Sequence, residues 1–88
     1  MAKKTTEYPM VRILWVDSNH PYGAKWELIS NARDPELCEC VSVGFLLNDT
    51  KETKTLVQSL TVPIDAHTQG SAILDIPTRA VLSIQRLT

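Results

Sequence analysis

The stretch CVSVGFLL at 40–47, followed by NDTKE and then TKTLVQSL at 53–60, leaves the chain few folds to choose from. Val41, Val43, Phe45 and Leu47 alternate with Cys40, Ser42, Gly44 and Leu46, the period of two that sends successive side chains to opposite faces of a strand. The polar residues between the two runs supply a hairpin turn, and TKTLVQSL returns as the antiparallel partner. Gly44 breaks the pattern. A glycine inside a strand weakens it unless the strand must bend there or another backbone comes close, and that is the role expected of it.

The rest of the chain is divided in the same way. MVRILWV at 10–16 alternates Val11, Ile13 and Trp15 against Met10, Arg12, Leu14 and Val16, with the β-branched and aromatic residues that suit a pleated surface. Asp17, Ser18, Asn19, Pro21 and Gly23 then end it as a loop. Residues 24–37 read equally as a short helix carrying Trp26 and Ile29 on one face or as a frayed strand. Asp34-Pro35-Glu36 has an N-cap residue before a proline, which predicts one helical turn. TVPIDAHTQG at 61–70 is a second polar loop, SAILDI at 71–76 a fourth strand, Pro77 to Arg79 a 3-10 turn, and AVLSIQRL at 80–87 the last strand. Five strands, a long first excursion and a proline-broken link before the last strand match the layout of a small five-stranded antiparallel barrel. Closing such a sheet would also remove the edges it could not otherwise protect. Its expected core is Val11, Ile13, Val43, Phe45, Leu74, Ile76 and Ile84. Residues 1–9 read as a flexible N-terminal tail and 10–88 as a single domain.

Size and charge narrow the function. A chain of 88 residues forms one domain that hides about 60–65% of the surface its unfolded state exposes, so the core is small. With 43% hydrophobic and 22% charged residues it should fold. A net charge of −1, with both signs interleaved from Lys3 to Arg86, offers no positive field for phosphate backbones, and nucleic acid is not an expected partner. The longest apolar run, Val43 to Leu47, is far short of the ~20 residues that cross a bilayer. No apolar segment follows Lys3 and Lys4, so a signal peptide is not expected and the chain reads as cytoplasmic. Cys38 and Cys40, in an extended segment, have Cα atoms about 6.6–6.8 Å apart, near the upper limit for a disulfide, and reduced thiols are expected.

Few residues point to chemistry. Asp17, Ser18 and His20 fall within four positions, but a triad needs His between Ser and Asp with an oxyanion hole alongside, and three neighbours in one loop have local backbone partners instead. Cys38, Cys40, His20 and His67 reach a Cys₂His₂ count without the paired spacings of zinc sites, so no metal and no cofactor is expected. The protein reads as a non-enzyme. Tyr8, Trp15, Tyr22 and Trp26 surround the long excursion and either complete the core or line an aromatic groove for an extended peptide. Strand 1 is apolar on both faces and Leu46 adds to the weaker face of strand 2, so Leu14, Val16 and Leu46 are candidates for self-association.

The order C-V-S-V-G-F-L at 40–46, T-L-V-Q-S-L at 55–60 and D-I-P-T-R-A-V-L-S-I at 75–84, preceded by W-V-D-S at 15–18, resembles small uncharacterised proteins of phage and prophage genomes with an SH3-like or Sm-like β-barrel pattern. The resemblance covers most of the chain after Met10 and implies a bacterial host cell. Its motifs are structural and point to no activity; the aromatic rim and the second apolar face make a protein-binding or self-assembling module the expected role, with another protein or a further copy of the chain as partner. An Sm-like nucleic-acid binder is the alternative, from which the chain departs in two places. Thr-Lys-Glu-Thr-Lys at 50–54 is set against the hairpin position where that family has an Asn after Gly44-Phe45-Leu46, and Arg79 before the last strand has no Gly after it.

Overall fold

A computed structural model describes residues 8–18, 25–32 and 37–88. Most of the expected tail, His20, Tyr22 and the turn at Asp34-Pro35-Glu36 lie outside the described residues. The elements are β1 (Met10–Asp17), a 3-10 turn (Ile29–Asn31), β2 (Cys38–Asp49), β3 (Thr53–Leu60), β4 (Gly70–Pro77), a second 3-10 turn (Thr78–Ala80) and β5 (Val81–Arg86). All five strands join one antiparallel sheet in the order β4-β3-β2-β1-β5. Its edges, β4 and β5, are not paired with each other. The fold is therefore mainly β, with a single sheet that is not closed by hydrogen bonds. Among the described residues no helix is long and apolar enough to cross a membrane.

Local chemistry explains the connections. In the β2–β3 turn the Thr50 hydroxyl accepts from the backbone N–H groups of Glu52 and Thr53, while Thr50 N–H donates to Thr53 O at 3.0 Å. Lys54 pairs with Asp49 across it. The second 3-10 turn then docks onto this hairpin, Thr78 N–H donating to Glu52 O at 2.9 Å and its hydroxyl to Thr50 O at 3.0 Å. That contact ties the β4–β5 link to the far end of β2 and β3. The 61–69 loop is braced by its own polar residues: Thr61 and Gln69 exchange bonds, and Asp65 accepts from His67 N–H at 2.8 Å.

The main buried cluster sits on one face, and register decides which. Val11 lies opposite Gly44, Ile13 opposite Ser42 and Trp15 opposite Cys40, and directly opposed residues share a face. The large side chains of β1 therefore occupy space above the small residues of β2. Val11, Ile13, Leu56 and Ile76 form the buried cluster, with Trp15, Leu46 and Val81 packed against it. The Trp15 indole N–H donates to Ser42 Oγ at 3.0 Å, so the aromatic ring is anchored at its polar edge.

This arrangement corrects the expected core. Val43 is 50% exposed, Leu74 and Ile84 are also exposed, and Phe45 is only half-buried. Val43 and Phe45 point to the face opposite Val11 and Ile13, because the β1–β2 register puts the valine row of β2 outside. Leu56 of β3 completes the inner cluster instead, while Thr55 and Val57, which alternate with it, are buried on the other face, Val57 opposite Phe45. Thr55 is the one buried polar residue among those described, and its hydroxyl donates to Asp75 Oδ1 on β4 at 2.7 Å. Asp75→Ala leaves that hydroxyl without its acceptor and is expected to cost about 1–2 kcal/mol. Urea unfolding checks this; an unchanged midpoint would show that the bond is not part of the fold's stability.

Candidate functional site

The outer face of the β1–β2 hairpin carries a continuous apolar strip. Three cross-strand pairs stack along it: Val16 opposite Glu39, Leu14 opposite Val41, and Arg12 opposite Val43. Val41 is 52% exposed and Val43 50%, while Leu14, Val16 and Arg12 are half-buried. The strip therefore has an acid at one end, a base at the other and four apolar side chains between. Such surface left open to water makes the strip the candidate for an interaction site.

Beyond Val43 the strip runs into a cleft. The ladder between β2 and β3 begins at Phe45 opposite Val57 and continues toward the hairpin, so residues 38–44 of β2 pair only with β1. Beyond Gly44, toward Ser42, the two strands part. Ser42 and Val43 on one side and Gln58, Ala72 and Ile73 on the other line an open cleft of about 400 Å³. Alternate backbone N–H and C=O groups of β2 point to that side, away from β1.

Ala72, on the wall of the cleft, has φ 59°. An L residue in the left-handed region carries about 1–2 kcal/mol of strain, which glycine does not. Ala72→Gly is expected to raise stability by up to about 1 kcal/mol, read from the urea midpoint; a loss would mean that the methyl group's packing outweighs the backbone.

The residues singled out from the sequence separate into different places. Leu14 and Val16 lie together on the outer face, whereas Leu46 packs against the inner cluster. Trp15 is on the inner face beside the core, Tyr8 is half-buried just before β1, and Trp26 is fully exposed in the excursion. Tyr22 is outside the described residues. Trp26→Ala should leave folding stability within about 0.5 kcal/mol, since an exposed side chain away from caps and networks has little to lose. A larger loss on urea titration would place the ring against the sheet.

The polar candidates are local. Asp17 closes β1, and its carboxylate accepts the backbone N–H of Ser18 at 2.8 Å; His20 is outside the described residues. His67 belongs to the braced loop, and no group of three or more His, Cys, Asp or Glu side chains comes together among the described residues. Cys38 and Cys40 are free thiols. Partial burial, then the Cys38 sulfur as hydrogen-bond partner and nearby charge, push the Cys40 thiol above its ordinary value.

What sequence reading missed here is Val41 and Val43 as surface residues. The available signal was the bulk of β1: Val11, Ile13 and Trp15 on one face demand small partners, and Ser42 and Gly44 are the small residues of β2. Compared with known protein families, curated proteins and solved structures, the chain matches none.

Proposed function

We propose that the chain is a non-enzymatic, self-assembling β module, which associates with further copies of itself through the outer face of β1 and β2. The observation that carries this reading is the strip from Glu39 to Arg12. An apolar block with opposite charges at its two ends is self-complementary under a two-fold axis. One copy's Arg12 then meets the other's Glu39 while Leu14, Val41 and Val43 are covered. The phage or prophage setting implied by the sequence resemblance suits such a module, since its role there would be assembly with protein.

An SH3-like barrel is the finer fold reading. Three observations support it: the strand order β4-β3-β2-β1-β5, the 3-10 turn between β4 and β5, and a β2 long enough to pair with β1 along one half and β3 along the other.

The test is light scattering over a range of concentrations. The wild type should pass from monomer to dimer, and Val41→Lys should remain monomeric with an unchanged circular dichroism spectrum. Arg12→Glu should weaken the dimer, and adding Glu39→Arg should restore it. A wild type that stays monomeric, or a dimer that survives Val41→Lys, overturns the proposal. Nucleic acid co-purifying with the protein, seen in its ultraviolet absorbance, would favour the Sm-like reading instead.

A further inference from the structure

Cys38 and Cys40 occupy alternate positions of β2, so both side chains leave the same face of the strand, at the end where β2 pairs only with β1. Cys38 is exposed and Cys40 half-buried, and their sulfurs lie 4.0 Å apart. Each thiol also reaches a backbone carbonyl of its own strand, Cys38 to Glu39 O at 3.9 Å and Cys40 to Cys38 O at 3.8 Å. The two sulfurs are turned toward one another on a regular stretch of sheet.

Two kinds of chemistry can join such a pair, and the backbone separates them. A disulfide usually has Cα atoms about 4.4–6.8 Å apart, most often about 5.5–6 Å, while positions i and i+2 of a strand are held about 6.6–6.8 Å apart, at the upper edge of that range. Closing that bond at its usual geometry would pull the two positions together and strain the ladder with β1, in which Cys38 faces Asp17 and Cys40 faces Trp15. A chelated ion makes no such demand. With metal–sulfur bonds of about 2.3 Å at a tetrahedral angle, two thiolates on one zinc-like centre stand about 3.8 Å apart. The sulfurs are already within a few tenths of an ångström of that spacing, and rotation about the side-chain bonds is enough to meet it.

We propose that Cys38 and Cys40 form a two-thiolate chelate for a soft, thiophilic metal ion, the class of zinc(II), cadmium(II) and copper(I). It is distinct from the Cys₂His₂ set weighed from the sequence, because it uses neither His20 nor His67. Binding of a divalent ion converts two thiols and one free cation into a dithiolate complex and releases two protons; no electron is transferred and no oxidant is needed. The remaining positions on the ion stay open to water or to an external ligand, since among the described residues no third metal-binding side chain joins the two cysteines. The chelate is independent of the outer-face strip: the cysteines share the inner face with Trp15, opposite to the face of Val41 and Val43.

Cadmium(II) is the probe, because its thiolate complexes show a charge-transfer band in the ultraviolet. Titrated into the reduced full-length protein, it should raise that band to saturation at no more than one ion per chain. Cys38→Ser and Cys40→Ser should each lose the band while keeping the circular dichroism spectrum and urea midpoint of the wild type. His67→Ala should keep the band. Absence of a band in the reduced wild type, or its survival in either serine variant, overturns the proposal. So does loss of two hydrogens from the monomer's mass, with both thiols consumed, after treatment with a small-molecule disulfide. That result would show that the strand gives way to a disulfide and that its spacing does not select the chelate.

Discussion

Ile13→Ala should remove about 2–5 kcal/mol of folding stability, one of the two largest losses expected from a single substitution in this chain. Ile13 is fully buried at the centre of the cluster with Val11, Leu56 and Ile76. It stands over Ser42 on one neighbouring strand and is opposite Ile84 on the other. Neither neighbour can fill the space that truncation leaves, because the serine oxygen is engaged by Trp15 and the isoleucine lies on an edge strand. A domain of this size has about 4–13 kcal/mol in all, so the variant should be partly unfolded at modest denaturant. Phe45→Ala is the informative comparison. Its side chain is larger, but it is half-buried on the outer face, so only about 1–2 kcal/mol should be lost. Urea titration of both variants measures the order. If Phe45→Ala costs more than Ile13→Ala, the inner and outer faces have been assigned the wrong way round.

That comparison turns on something a single strand cannot reveal. Alternation in CVSVGFLL correctly marks a strand, and the polar turn after it correctly marks a hairpin, with β3 running over Thr53–Leu60 as expected. The proline link was legible for the same reason: Pro77 ends β4, and the chain turns through Thr78–Ala80 before β5. Which side of β2 faces inward is a property of the pair. Taken alone, Val41, Val43 and Phe45 are the more hydrophobic set and belong in a core. Once Ile13 is set opposite Ser42, and Val11 opposite Gly44, the bulky residues of β1 claim that side and the valines of β2 are turned out. The same step moves Leu46 away from Leu14 and Val16 and replaces it in the strip with Val41 and Val43. β3 was undervalued because TKTLVQSL carries Thr55 and Gln58 among its apolar residues. Thr55 is buried all the same, its hydroxyl being satisfied across the sheet by Asp75.

The strip and the cleft have one cause. β2 is long, and it changes partners midway: from Cys38 to Phe45 it is paired with β1, and from Phe45 to Asp49 with β3. A flat strand would keep β3 alongside its first half and cover the backbone groups that now border the cleft. The divergence therefore leaves both an open backbone edge and Val43 beside it, where the apolar strip meets Ile73.

Gly44 lies against β3 where the ladder ends and the cleft begins, and Gly44→Val should cost about 3 kcal/mol. Intrinsic preference points the other way. Valine is among the best strand formers and glycine among the worst, a difference of up to about 1 kcal/mol in valine's favour. Space decides against it. A Cβ on residue 44 would lie 2.9 Å from the carbonyl oxygen of Val57 and 3.4 Å from Leu56 Cβ. The first of these is backbone, not the movable end of a side chain, and it belongs to the residue that pairs with Phe45 at the start of the β2–β3 ladder. Relief therefore requires β3 to move away from β2 with Leu56 and Val57, two of the few buried side chains. The packing loss exceeds the propensity gain. Equilibrium unfolding of Gly44→Val should show a strongly lowered midpoint, and the smaller Gly44→Ala should also fall below the wild type, because the close approach begins at Cβ. A Gly44→Val variant as stable as the wild type would mean that β3 does not pass so close to β2. The cleft and the exposed edge of β2 would then lose their common origin.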